Sequence, residues 1–205
     1  MAYSKRATTD YPVQDLIAER FSPMGFEDRP VPADDLRSLF EAARWAASCY
    51  NEQPWRFIVA VKQNPEEYQK VLSCLVEANQ RWAQAAPVLA LGVVSTTFHK
   101  GGKPNRFAGH DLGQASASLS LEAVARGLAV HQMGGILPSK AVQTFGVPDG
   151  FEVITGLAIG YPAQVDAPED LAKRDRAPRT RKPIKDFVFG AQWGGPHPLD
   201  GKGQT

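Results

Sequence analysis

Arg20 and Ser22 stand two residues apart near the N-terminus, and Arg179, Arg181 and Lys182 cluster near the C-terminus. Guanidinium groups bind phosphate through paired, charge-assisted hydrogen bonds, and a serine hydroxyl adds a donor. Two or three such groups from separate segments would neutralise a phosphate monoester and fix its position. Solvated surface charge is the other reading of each cluster. Gly134–Gly135 follows the strand candidate Leu128–Gln132. Glycine lets backbone N–H groups come close to a planar ligand, or simply makes a turn. Asn79 shares a helical stripe with Tyr68, Leu72, Leu75, Val76 and Trp82. An amide on an apolar face needs partners, from a ligand or from protein backbone.

Other chemistries lack their signals. No G-x-G-x-x-G and no G-x-x-x-x-G-K-[ST] occurs, so the usual dinucleotide and P-loop signatures are missing. No G-x-S-x-G supplies a nucleophile elbow. His99, His110, His131 and His197 are scattered without zinc spacing, so no metal is expected. Cys49 follows a helix C-terminus in this reading, where the dipole disfavours a thiolate. An enzyme with this inventory would rely on a cofactor.

The elements that position these residues can be read from periodicity. Helices are predicted over 11–20, 33–48, 65–83, 111–128 and 139–145. Pro32, Asp34 and Asp35 open the second, Pro65 and two glutamates the third, and Gly146 ends the fifth. The helix at 111–128 is rich in Ala, Ser and Leu, which suits close packing in a core or at a subunit interface. Strands are predicted over 56–61, 88–94, 128–132 and 153–159. Helices alternating with strands give an α+β or α/β class.

With 205 residues the chain suits one domain. Residues 1–10 read as a flexible arm, 11–162 as the domain, and 163–205 as an extended, charged, proline-rich arm of that domain. Within that arm, Ile184–Phe189 reads as a strand able to pair elsewhere in the fold or on another subunit. Net charge is +1, which gives no bulk case for nucleic acid or a membrane surface. The longest apolar run, Ala85–Val94, is too short to span a bilayer. The N-terminus lacks an apolar signal region, and two cysteines fit a reducing compartment, so a cytoplasmic location is expected.

Three stretches together resemble the FMN-dependent nitroreductase family, over roughly Leu16 to Trp193. PVPADDLRSLFEAARWAASCYNEQPWRFIVA is similar to its first core helix and the P-S-S-x-N-x-Q-P-W-x-F motif. HDLGQASASLSLEAVARGLAVHQMGG is similar to its central helix and flavin-contacting strand, and RTRKPIKDFVFGAQWG to its closing signature. The resemblance implies a three-layer α/β/α sandwich with a mixed, mostly antiparallel sheet. It also implies a homodimer with C-terminal arms exchanged and one FMN per subunit at the interface. The implied activity is ping-pong transfer from NADH or NADPH through the flavin to a nitro compound, quinone or similar small-molecule acceptor. Another flavin reaction (dehalogenation, azoline oxidation, flavin fragmentation), an FMN carrier or sensor, and a dimer without FMN are the alternatives.

Residue by residue, the resemblance places Arg20, Ser22, Arg179 and Arg181 at the FMN phosphate and ribityl chain. It places Asn79 at the flavin ring, and Met133 and Gly134 beside its reactive nitrogen, flanked by Gln132 and Gly135. Ala47, Ser48, Cys49 and Asn51 match the loop that reaches the other subunit's flavin. Phe21, Met24 and Trp82 are cofactor-lining positions that depart from the family, because cations are common there. Their loss implies a lower flavin potential, with Arg81 or Arg56 as possible substitutes. Phe98, His99 and Phe107, in the polar 95–110 connection, are the candidate lid.

Overall fold

The computed structural model describes residues 5–163, 169–196 and 199. The parts of the two predicted arms at 1–4, 164–168, 197–198 and 200–205 lie outside the described residues. The chain runs through α1 (Asp15–Glu19), α2 (Ala33–Arg44), β1 (Trp55–Val61), α3 (Pro65–Ser73), α4 (Glu77–Ala83) and β2 (Val88–Ser95). It continues through α5 (Ala108–Ala125), β3 (Ala129–Met133), α6 (Pro138–Phe145), β4 (Phe151–Gly160) and α7 (Glu169–Arg176).

The four strands form one sheet in the order β1-β2-β4-β3. Every pairing among the described strands is antiparallel, where a mixed sheet was expected. The central strand VLALGVVS is apolar at successive positions because both of its faces are covered. Leu89, Leu91 and Val93 join one core with α3, α4 and α6. Val88, Ala90 and Val94 join the other with α2 and α5. Helices on both faces therefore make the expected three layers.

A bulge keeps both faces apolar. Between Gly92 and Val93 the β2–β4 register skips Ile154. In β4, Val153 points into the first core, yet Leu157 and Ile159 point into the second. One inserted residue reverses the alternation.

The predicted helix at 65–83 is two helices. At the break, Cys74 carbonyl accepts the Leu137 N–H (2.7 Å) and Val76 N–H donates to Gly135 carbonyl (3.1 Å). Leu75 bridges Ile136. These backbone groups leave the helix to bind the segment after β3, and the apolar stripe runs through the break unchanged. Tyr68 fastens the second piece by donating its hydroxyl to the carbonyls of Ala83 and Ala86.

Other boundaries also differ. The helix expected over 33–48 ends at Arg44, so Cys49 lies beyond the reach of that helix dipole, which acts within the last turn. Cys49 and Cys74 are free thiols. The arm expected to be extended contains α7, and Ile184–Asp186 is a 3-10 turn rather than part of a strand. Pro183, which has no N–H to give a ladder, precedes that turn.

Gly160 closes β4 against Pro87. A Cβ there would stand 2.4 and 2.7 Å from Pro87 ring carbons and 3.1 Å from Phe26. The ring cannot swing away as a flexible side chain would. Gly160→Ala should cost about 1–3 kcal/mol, the usual range for overpacking, read as a lowered urea midpoint at unchanged slope.

Candidate functional site

The two arginine clusters meet. Arg20 caps the C-terminal end of α1, and its Nη1 donates to Ser22 Oγ at 3.3 Å. Arg179 Nη1 donates to the carbonyls of Lys5 and Ala18 at 2.9 and 2.7 Å. These bonds bring the late arm onto the N-terminal segment. Burial, then the nearby charge of Arg181, makes protonated Arg20 harder to hold than a free arginine. Burial, then Arg20 and Arg181, acts on Arg179 in the same direction. Arg181 Nη1 donates only to its neighbouring carbonyl, Thr180. Among the described residues no carboxylate pairs with Arg20, Arg179 or Arg181. Arg20 and Arg179 are part-buried and Arg181 is exposed; like charges gathered in this way repel one another, and an anion between them would relieve that cost.

Residues after Ser22 are held from two sides. Met24 and Gly25 N–H groups donate to Asp175 Oδ2 at 2.8 and 3.1 Å. Pro23 carbonyl lies 2.7 Å from His131 Nδ1. Met24 packs its side chain against the first core, and Phe21 is half-buried.

Asn79 finds its partners within the protein. Nδ2 donates to Gly135 carbonyl at 2.9 Å, and Oδ1 accepts from Trp82 Nε1 at 3.3 Å. A Cβ on Gly135 would stand 2.5 Å from Asn79 Nδ2, so glycine is needed for this approach. Gly134 differs, because a Cβ there would meet nothing within 4 Å. Met133 is buried, with its carbonyl accepting from Thr155. Gln132 reaches Ser116 and Ser120 of α5.

Trp82 does not line an open site. Its side chain is 2 % exposed and stacks on His131 with ring centroids 4.3 Å apart. The apolar indole sits on the inward face of α4, in the first core.

The 47–53 loop is a separate construction. Tyr50, Asn51 and Gln53 all take positive φ, at 53°, 56° and 49°. Such backbone costs of order 1 kcal/mol or more per residue and collects at functional sites. Ser48 Oγ accepts the Gln53 N–H, and the buried Asp111 carboxylate accepts the Cys49 N–H at 3.1 Å. Asn51 accepts from the Gln53 amide, and Ala47 is exposed. Asn51, Arg56, Phe98 and His99 line a cavity of about 530 Å³. So two of the three lid candidates join this loop, while Phe107 sits apart at the start of α5.

Sequence reasoning missed Asp111, His131 and Asp175. A signal existed only for Asp175, the one acid in the basic run 173–182.

The model of the nitroreductase family matches residues 17–161. A crystal structure of an oxidoreductase containing FMN is 37% identical, with a TM-score of 0.86, over 96% of this chain and 100% of that one. An uncharacterized 15.4 kDa protein of Mycolicibacterium smegmatis is 34% identical over 64% of this chain and 88% of its own length. A nitrobenzene nitroreductase of Ectopseudomonas oleovorans is 32% identical over 37% of this chain and 32% of its own length. Among the described residues no helix is long and apolar enough to cross a membrane.

Burial pushes His131 below the ordinary histidine value, partly opposed by the Pro23 carbonyl. The unfolded chain therefore takes up this proton at a higher pH than the folded one. The stability contributed by neutral His131 is present above about pH 6.5 and is lost as pH falls toward the folded value. The urea midpoint should drop across that window, and His131→Phe, which keeps a ring against Trp82, should flatten the drop.

Proposed function

The chain belongs to the nitroreductase family, and from that premise we propose that it is an FMN-dependent NAD(P)H oxidoreductase working as a homodimer. The convergence of Arg20, Arg179 and Arg181 without a carboxylate partner among the described residues carries this reading. The gathered positive charge suits a phosphate monoester, and the FMN phosphate is the group the family would bring there.

FMN, when bound, would supply the hydride chemistry, accepting from NADH or NADPH and giving to a nitro compound, quinone or similar acceptor in ping-pong order. The chain's residues bind and orient it. Arg20, Ser22 and Arg181 would hold the phosphate and ribityl chain. Arg179 spends Nη1 on backbone carbonyls, so it serves as strut and as charge together. Gly134 leaves open space where a planar ring could lie against backbone. Asn79, already tied to Gly135, would hold that segment in place, with Met133 and Gln132 fixing the strand behind it.

The 47–53 loop would complete the partner subunit's site. Its strained backbone and Tyr50, 90 % exposed, support a role outside the single chain. Tyr11 and Val13, just before α1, and Leu16 and Ile17, within it, are also exposed. Apolar surface of this kind marks an association face. The cavity lined by Asn51, Arg56, Phe98 and His99 is the candidate entrance for the acceptor.

The visible spectrum of the purified protein tests the reading directly. A flavin spectrum that bleaches on anaerobic addition of NADH or NADPH is expected. Protein that is colourless and takes up no added FMN would contradict it. Arg181→Ala should weaken FMN binding by about 1–3 kcal/mol, the scale of a lost charged hydrogen bond, measured by flavin fluorescence titration. Arg20→Ala should act similarly, and the double variant should lose less than the sum.

A further inference from the structure

The late arm carries a carboxylate that the phosphate reading leaves unused. Residues 173–182 hold six cations and one acid, Asp175. Asp175 lies in the last turn of α7, where the negative end of the helix dipole disfavours a carboxylate. Its Oδ2 nonetheless accepts two backbone bonds, from Met24 at 2.8 Å and Gly25 at 3.1 Å. Hydrogen bonds to an ionised oxygen are the stronger kind. The peptide groups held in this way follow Ser22 directly after Pro23. The Asp175 carbonyl also accepts from the Lys5 ammonium. Four residues later, Arg179 closes on the carbonyls of Lys5 and Ala18.

We propose that Asp175 is a positioning residue for the phosphate cradle. Its carboxylate latches α7 to the Met24–Gly25 backbone, and so sets the Arg20–Ser22 segment against Arg179 and Arg181. It touches neither the ligand nor the reacting atoms. The proposal rests on the phosphate reading above. Without the carboxylate, two part-buried N–H groups lose their acceptor. The remaining charges of 173–182 are then all positive, and the arm is repelled from Arg20. The loss should fall on the phosphate-dependent part of binding and leave the ring contacts alone.

The test compares full-length wild type, Asp175→Ala and Asp175→Asn in two measurements. One is the ratio of riboflavin to FMN dissociation constants, which isolates the phosphate contribution. The other is the rate of tryptic cleavage between Lys173 and Arg181 in flavin-free protein, which reads the latch itself. Asp175→Ala should lower the ratio about tenfold or more, with a much smaller loss for riboflavin, which keeps the ribityl contacts but lacks the phosphate, and should speed cleavage by a similar factor. Asp175→Asn should recover part of both, because its carboxamide oxygen accepts the same bonds without the charge. An unchanged ratio would overturn the proposal. So would an equal loss for both flavins, which is the mark of a general stability defect. Wild type with no preference for FMN would overturn the phosphate reading instead, and cleavage rates would then decide the latch alone. If Asp175→Ala does not fold, Asp175→Asn carries the test: a ratio lowered about threefold supports the proposal, and a wild-type ratio overturns it.

Discussion

Arg179 donates to the carbonyls of Lys5 and Ala18, across sequence separations of 174 and 161 residues. The candidate site depends on this contact between the chain's two ends. Each segment alone is a short basic stretch on a surface. Joined, they bring the charges of Arg20 and Arg179 into part-buried surroundings beside Arg181, where those two cost more than they would in water. The cost is offset by backbone acceptors and by the clasp of Asp175 on Met24 and Gly25. The junction is thus held by contacts within the chain itself.

The sheet gives this junction a rigid floor. β2 lies between β1 and β4, buried on both faces, and the skipped residue in β4 keeps the two cores continuous. Two glycines matter here for steric reasons. Gly160 admits Pro87, and Gly135 admits Asn79. The second contact docks the segment after β3 onto the break between α3 and α4. The same break therefore explains both the divided helix and the placement of Gly134.

The 47–53 loop follows another logic. Three non-glycine residues there hold positive φ, and local bonds from Ser48, Asn51 and Asp111 over-determine them. Strain of this sort survives where the surroundings insist on it. Its neighbour is the polar cavity with Arg56 and His99 rather than the arginine junction.

The sequence was explicit about elements whose signals are local. Pro65 with Glu66 and Glu67 starts α3, and Gly146 in the left-handed region ends α6. The apolar run from Val88 makes the central strand. The pairing of Arg20 with Arg179 and Arg181 was also legible, through motif resemblance and the known chemistry of phosphate. Other features were hidden because long-range hydrogen bonds decide them. Nothing in the stripe Tyr68–Trp82 marks the break at Cys74, since the backbone groups concerned bond to Gly135 and Leu137. Trp82 reads as a missing cation until its stacking on His131 shows it to be core. Local propensity and side-chain chemistry thus determined which residues were available. Only the tertiary structure decided which of them share a dielectric environment, because burial and electrostatic coupling depend on distances that sequence spacing does not contain.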